Sequence, residues 1–408
     1  MKIETLRIKN FKAYQDVKLS NLPSFCVFLG KNGSGKTTLF RVFVFLKECL
    51  ATNVRTALNK EGGRNGFREV LSRNASDEAI EIEIQFRMEI IGRERLVTYR
   101  LEIRLDDRGR PYISREVLRY KRGEYGSPYH FLDFSKGSGY AITNEEDFSK
   151  QDTDLDREEQ KLASADTLAI KGLGQFERFK AAQAFKNLIE NWHISNFHIN
   201  DARGVKEDED ARHLSTSGDN LPSVARYIYE QYPKIFETIQ QKMRDRVPGV
   251  EEVDVRLTED GRLLMRYRDG AFQDPFIDKN VSDGTIKMFS YLILLHDPLP
   301  HPILCVEEPE NQLYPELMTV LAEEFQEYAE NGGQVFVSTH SPQFLNAIEL
   351  KSLFVVEKVK GASAIFPLKK DPLISEQMQA GWQAGTLWEQ GHMIGVKERI
   401  KASNGVSQ

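Results

Sequence analysis

Gly30-Lys31-Asn32-Gly33-Ser34-Gly35-Lys36-Thr37 satisfies the phosphate-loop pattern G-x-x-x-x-G-K-[ST] at every defined position. The residues before it, Ser24-Phe25-Cys26-Val27-Phe28-Leu29, form an apolar run suited to a buried parallel strand. Those after it, from Thr38 to Leu46, stay largely apolar and read as a buried helix. Strand, glycine-rich loop and helix in that order predict a nucleotide site. Glycines let backbone N–H groups close around phosphate oxygens, and the helix N-terminus adds partial positive charge. Lys36 then serves as a point charge for β- and γ-phosphates, and the Thr37 hydroxyl as a ligand for Mg²⁺. The binding segment runs from Gly30 to Thr38.

The chain has 408 residues, enough for two or three domain-sized units, and 40% of them are hydrophobic. A net charge of −6 argues against a protein that coats nucleic acid by charge alone, although a local basic patch stays open. Cys26, Cys49 and Cys305 lie in apolar surroundings and read as reduced, structural thiols. The first residues lack a secretory apolar region, and no uninterrupted apolar run reaches about 18 residues, so neither export nor membrane spanning is expected and a cytoplasmic location is.

Lys2 to Lys9 alternates polar and apolar residues, as a half-buried strand does, and a second strand follows near Val17. Together with the strand before the phosphate loop these predict a small N-terminal sheet. Ala79 to Phe86 and Leu96 to Ile103 read as strands of an antiparallel lobe spanning about 78–122. Between Arg87 and Arg122 eleven basic residues face six acidic ones. That excess reads either as charges on the solvent face of a sheet or as a patch for nucleic acid or an acidic partner. Asn144 to Glu159 is acid-rich and suggests a loop within an insertion of about 140–250. A helix is expected near 176–189 and a strand over 191–199; His193 and His198 would face opposite sides of that strand, which argues against a shared metal. A helical stretch follows, broken at Pro233, and then a hairpin around Glu259-Asp260-Gly261-Arg262.

A second cluster of motifs begins at Val281-Ser282-Asp283-Gly284-Thr285, which opens a helix either as an ordinary cap or with N–H groups free for a phosphate. Pro302 to Val306 followed by Glu307-Glu308-Pro309-Glu310 describes a central strand with acids at its C-terminal edge, a Walker B motif. Glu307 is the expected Mg²⁺ ligand, directly or through water, and Glu308 the base that orients and deprotonates an attacking water. Gln334 to Thr339 is a further core strand, ending in His340-Ser341-Pro342. His340 is placed to meet a γ-phosphate or the water.

In this order the motifs resemble ABC-type ATPases, including the structural-maintenance-of-chromosomes and RecF-like branch, and Leu6-Arg7-Ile8-Lys9-Asn10-Phe11-Lys12 resembles that branch's first strand. The wording Ser282-Asp283-Gly284-Thr285, Glu307-Glu308-Pro309-Glu310-Asn311, Pro315 and Ser338-Thr339-His340-Ser341-Pro342 is similar to the "AAA family" ATPases related to the ATPase half of OLD-family nucleases. The resemblance implies an α/β P-loop head with a mixed sheet, an antiparallel lobe and a helical insertion. Residues 1–275 would form its N-terminal part, 276–360 its C-terminal part, and 361–408 an extension packing on the head. It implies ATP as substrate with Mg²⁺, and a head-to-tail homodimer in which Ser282 and Gly284 cap the nucleotide of the partner. His340 would be the switch histidine, and Asn311 and Leu313 would lie in the interface loop.

The chain departs from the family pattern in two places: Glu307 stands where aspartate is commoner, and Asp283-Gly284 replaces a double glycine. Gln85 and Gln175 are the candidates for a glutamine loop. The interval from Lys36 to Ser282 lacks the sustained heptads of a coiled-coil arm, and the segment after His340 is too short for a nuclease domain. The resemblance implies an ATPase that regulates a separately encoded effector, and it suggests a nuclease in antiviral defence as that effector. The alternative is a RecF-like repair ATPase that clamps DNA through the Arg87 to Arg122 lobe.

Overall fold

The structure is a computed structural model that describes residues 2–73, 75, 77–122, 127–147, 151, 154–272 and 274–405. Along the chain, Lys2–Phe11 (β1), Tyr14–Ser20 (β2) and Phe25–Leu29 (β3) precede Lys36–Ala51 (α1), Val54–Gly62 (α2) and Gly66–Val70 (α3). A meander follows: Ile80–Ile90 (β4), Arg93–Leu105 (β5), Pro111–Tyr120 (β6), Tyr129–Ser135 (β7), Ser138–Ile142 (β8) and Arg157–Lys161 (β9). Ala169–Leu173 (α4), Lys180–Glu190 (α5), His193–Ser195 (β10), Ile199–Ala202 (α6), Lys206–Glu207 (β11), Leu221–Gln231 (α7) and Pro233–Arg246 (α8) come next. The hairpin Val250–Leu257 (β12) and Arg262–Asp269 (β13) and the short Phe276–Ile277 (β14) lead to Asp283–Leu295 (α9), Ile303–Glu307 (β15), Pro315–Glu330 (α10), Gln334–Ser338 (β16) and Pro342–Asn346 (α11). The last described elements are Leu353–Val359 (β17), Ala362–Pro367 (β18), Pro372–Gln379 (α12), Ala384–Glu389 (α13) and Val396–Gly405 (α14).

These elements form two compact units. The first comprises Met1–Ser24, Gly30–Trp192 and Val355–Phe366, the second Phe25–Leu29, His193–Phe354 and Pro367–Gln408.

An eight-stranded antiparallel sheet in the order β2-β1-β4-β5-β6-β7-β8-β9 dominates the first unit. Alternation makes it amphipathic: Ile80, Ile82, Ile84, Phe86 and Met88 of β4 are buried, and the Phe86 ring stacks on Phe185 of α5 at 4.8 Å. The alternation in β1 slips where a register shift between Ile3 and Thr5 buries Thr5 beside Leu6, and again at its end, where Asn10 and Phe11 are both buried. The meander extends past the expected 78–122, through β7, β8 and β9. Within the acid-rich 144–159 segment, residues 148–150, 152 and 153 lie outside the described residues.

The second unit is built on four parallel strands, β10-β15-β16-β3. Their runs are buried on both faces, and α9, with every residue from Gly284 to Leu295 buried, is a core helix. Here the structure corrects two expectations. β3 does not join β1 and β2 in a small sheet: Phe25 to Leu29 are apolar on both faces and need cover on both, whereas β1 and β2 alternate and can face water on one side. The strand expected over 191–199 shrinks to His193–Ser195, because Asn196 and His198 turn their N–H groups to the carbonyls of Thr216 and Ser217. Pro233 does break the helical stretch, opening α8 at its first turn, and the hairpin turn uses Gly261 at φ 78°.

Candidate nucleotide-hydrolysis site

Parallel pairing aligns the strand ends of the second unit. Val337 and Ser338 of β16 stand opposite Val27 and Phe28 of β3, and Glu307 of β15 stands opposite Ser338. Glu307, the turn after Ser338 and the end of β3 at Leu29 therefore leave one edge of the sheet, the carboxyl edge at which open α/β sheets place ligands. The chain passes from Leu29 directly into Gly30.

In the first unit, the loop from Gly30 to Gly35 is held by its neighbours. A Cβ on Gly30 would lie 2.5 Å from the Val356 carbonyl oxygen, so only glycine fits there. Gly35, the residue before α1, has φ 116°, a conformation costly for any side chain. Its carbonyl accepts from the Tyr14 hydroxyl at 2.9 Å, while the Ser363 hydroxyl donates to the Ser34 carbonyl at 2.5 Å. Lys36 is buried, and its Nζ donates to the Gly30 carbonyl at 2.6 Å, which holds the ammonium across the loop. The Ser34 hydroxyl is buried with no hydrogen-bond partner among the described residues, as a loop that completes its bonds with a ligand would leave it. Lys31, Asn32, Gly33 and Thr37 are exposed and Thr38 half-buried.

In the second unit, the structure brings Glu308 and His340 together. Nε2 of His340 lies 2.7 Å from Oε1 of Glu308, and both side chains are about one-third exposed. Glu308 has φ 44°, a left-handed conformation that costs on the order of 1–3 kcal/mol and persists only where surroundings fix it. Its N–H donates to the Ser338 carbonyl at 2.8 Å, and the N–H of His340 donates to Oε1 of Glu310 at 2.6 Å. Asn311 reaches Oε2 of Glu308 at 3.3 Å.

Ser282 is exposed and caps α9, accepting from the Thr285 N–H at 3.2 Å. Arg203 ties this opening down through the Val281 carbonyl at 2.8 Å and the Asp283 carboxylate. Gly284 is buried where an added Cβ would sit 3.2 Å from the Gln312 carbonyl and 3.3 Å from the Tyr314 ring. Asn311 is exposed and Leu313 half-buried. Of the glutamine-loop candidates, Gln85 sits within β4 and donates to Thr98 at 3.4 Å, and Gln175 is exposed.

Sequence reasoning missed four supports. Lys287 is buried in α9, where burial pushes its ammonium pKa down to about 8, and it donates to the Asn311 carbonyl at 2.5 Å. A lone lysine in the otherwise apolar run from Ile286 to Leu295 was the available signal. Glu310 was read as part of a motif without a role, yet it fixes the backbone of His340, and its Oε2 is buried without a partner among the described residues. Tyr14 and Ser363 are distant from the phosphate loop in sequence and carry no local signal.

Five of the eleven basic residues between Arg87 and Arg122 pair with carboxylates. Arg87 pairs with Glu4, Arg100 with Glu81, Arg104 with Asp77 and Glu102, Arg110 with Asp106, and Arg115 with Asp133. No described helix is long and apolar enough to cross a membrane.

The chain is similar to known proteins in sequence and in fold. The replication and repair protein RecF of Lactococcus lactis subsp. cremoris strain MG1363 is 29% identical over 153 residues, and RecF of L. lactis subsp. lactis strain IL1403 is 28% identical over 153. Each match takes in 35% of this chain and 40% of RecF, so the chain spans less than half the length of these relatives. In fold, the chain is similar to a solved SMC head bound to the C-winged helix domain of ScpA, with TM-score 0.54, 15% identity, and coverage of 90% of this chain and 98% of that one. The Smc head with an extended coiled coil from Pyrococcus furiosus gives 0.50, 13%, 92% and 99%. The family described as "AAA domain, putative AbiEii toxin, Type IV TA system" matches residues 25–346, a span that includes the phosphate loop, the α9 cap, Glu307-Glu308 and His340. The chain belongs to that family and is an ABC-type, RecF-like P-loop ATPase with an SMC-head-like α/β fold.

Proposed function

We propose that this chain binds and hydrolyses ATP at the carboxyl edge of β3, β15 and β16. The contact between Glu308 and His340 carries the reading. Two side chains from neighbouring strand ends meet at 2.7 Å beside the strand that feeds the phosphate loop. Backbone N–H groups of Gly33, Ser34, Gly35 and Lys36 would donate to the phosphate oxygens, with the Lys36 ammonium turning from Gly30 to them. Thr37 and Glu307 offer the hard oxygen ligands for Mg²⁺, which would neutralise phosphate charge when bound. Glu308 takes the proton of the attacking water, while His340 orients the carboxylate and faces the γ-phosphate.

One chain carries one set of motifs, so a head-to-tail homodimer is the economical assembly. Ser282 and Gly284 of one copy would close over the nucleotide of the other. The exposure of Ser282 at the start of α9 supports this role. Cycling between closed and open dimers would regulate a separately encoded effector, such as a nuclease acting in antiviral defence. RecF similarity favours a second reading, in which the closed dimer clamps DNA. The pairing of Arg87, Arg100, Arg104, Arg110 and Arg115 with carboxylates weighs against an open phosphate-binding surface on those residues. The test is Lys36→Ala. ATP binding measured by calorimetry should weaken at least about 100-fold, from loss of a charge-assisted contact of about 3 kcal/mol. Wild-type affinity would refute the assignment of the loop.

A further inference from the structure

At the opposite, amino edge of β15, the second unit gathers nitrogen and oxygen donors that the hydrolysis site does not use. Asp297 and His301 sit in the connection from α9 to β15, and His213 in the connection from β11 to α7. The Asp297 side chain is 2% exposed and His301 8%, while His213 reaches the surface at 38%. Nδ1 of His213 lies 2.8 Å from Oδ2 of Asp297, and Nε2 of His301 lies 3.8 Å from the same oxygen. One donor atom from each of the three residues can be chosen so that all lie within 4.8 Å of one another. A fourth group stands close by: the ring of His193, at the start of β10, is 4.9 Å from that of His301.

The surroundings hold this cluster in place. The other oxygen of Asp297, Oδ1, accepts from the Leu299 N–H at 2.8 Å, which leaves Oδ2 aimed at the imidazoles. Tyr328 donates to the His301 carbonyl at 2.5 Å, and Asn220 to the His213 carbonyl at 3.0 Å. Among the described residues, the ion-pair partners of Asp297 are both histidines, and no lysine or arginine pairs with it. A buried carboxylate oxygen facing imidazole nitrogens is a donor set suited to a divalent cation. A cavity of about 370 Å³, lined by His296, Asp297, His301 and Glu324 among others, provides a path from outside.

We propose that His213, Asp297 and His301 bind a divalent transition-metal ion of the zinc class. Zinc takes imidazole nitrogen and carboxylate oxygen at about 2.0–2.1 Å in a tetrahedron, which sets its donors about 3.3 Å apart. The two separations from Asp297, 2.8 and 3.8 Å, bracket that spacing, and the three donors can be chosen with no pair beyond 4.8 Å. Nitrogen donors select against Mg²⁺, so this ion is distinct from the one that accompanies the nucleotide. The fourth position falls to water from the cavity or to His193. The ion pins the α9–β15 connection to the one that precedes α7, a structural role that does not depend on the hydrolysis reading.

The test uses the full chain, stripped with chelator, without nucleotide, and dialysed against Zn²⁺ alone or Co²⁺ alone. One ion per chain is expected by elemental analysis, with the intense visible d–d bands of tetrahedral Co²⁺. His213→Ala, at a partly exposed position that leaves the fold intact by circular dichroism, should weaken Zn²⁺ binding more than about 100-fold. That exceeds the 10–100-fold loss typical of an outer-shell partner. Lys36→Ala should bind the ion as wild type does, so failure of the nucleotide assignment leaves this result standing. No bound Zn²⁺ in the folded wild-type chain, or undiminished binding by His213→Ala, overturns the proposal.

Discussion

Replacing Glu308 by glutamine removes the base while keeping its shape. Because the amide is isosteric, the contact with His340 at 2.7 Å can persist, and only the weak 3.3 Å bond from Asn311 is put at risk. ATP affinity should therefore stay within a few-fold of wild type. Turnover should fall by about 10²–10⁴, the contribution of a positioned general base, equivalent to about 3–5 kcal/mol of barrier. His340→Ala leaves the base in place but removes a charge-assisted hydrogen bond worth about 1.5–3 kcal/mol, a loss of about 10–150-fold. Were the two residues independent, the double variant would show the product of both losses. As one functional pair, the double variant should be no slower than Glu308→Gln, giving a coupling of about 1.5–3 kcal/mol. Single-turnover hydrolysis of Mg-ATP by the four proteins, with affinity measured separately, reads this directly. Wild-type turnover by Glu308→Gln would remove Glu308 as the base, and multiplicative losses would dissolve the pair.

Ser282→Arg places a long cation at an exposed cap, where losing the Thr285 N–H bond costs the helix about 1 kcal/mol. In the Glu308→Gln background it should leave ATP binding by a single chain intact and abolish ATP-dependent dimers in sedimentation; dimers that form regardless would contradict the role of Ser282 in the partner's site. Glu145, buried and bonded to the Tyr120 hydroxyl at 2.6 Å and the Ala181 N–H at 3.1 Å, has its carboxyl pKa raised by burial from the ordinary 4.5 to about 7. A raised acid keeps its proton in the fold after the unfolded chain has lost it, so this contribution to stability is complete below pH 4.5 and lost as pH rises through about 7. Glu145→Gln should remove up to about 3 kcal/mol of that loss, at about 1.4 kcal/mol per pH unit. Urea titrations at pH 5 and pH 8 check it, and a pH dependence identical to wild type would refute it.

How legible this site was depends on how far apart its parts lie in sequence. The phosphate loop, Glu307-Glu308 and His340 each sit where an apolar run ends, and such a short run suggests a covered strand, so residue pattern alone put them at strand ends. β1 and β2 were recognisable as strands, but their partner was not. Alternation reports that one face is wet, and it does not say whether β3 or β4 lies alongside. The contact between Glu308 and His340 required the register of β15 on β16, which no local pattern encodes. Tyr14 and Ser363 brace the phosphate loop from chain positions far from it, and Ser363 comes from a hairpin that its own residues tie to nothing in particular. Lys287 was visible as an anomaly and remained unassigned, because an isolated charge in a buried helix names a need for a partner without naming the partner.

The turn after β15 explains why these separate signals belong to one device. Glu308 and Gln312 both hold positive φ, 44° and 67°, and two left-handed side-chain-bearing residues within five positions are together costly, at about 1–3 kcal/mol each. They persist because the turn is fixed from several directions. Ser338 holds the Glu308 N–H, Lys287 holds the Asn311 carbonyl, and the absence of a side chain at Gly284 lets Gln312 and Tyr314 pack against the start of α9. The backbone that aims Glu308 is thus anchored on the same helix whose cap, Ser282, is exposed. A contact at the start of α9 acts on the helix that carries Lys287 and Gly284, the two residues on which the turn bearing Glu308 rests. Contacts within a single chain thus link the α9 cap to the turn that carries Glu308, which is the link that the proposed closure by a second copy would need.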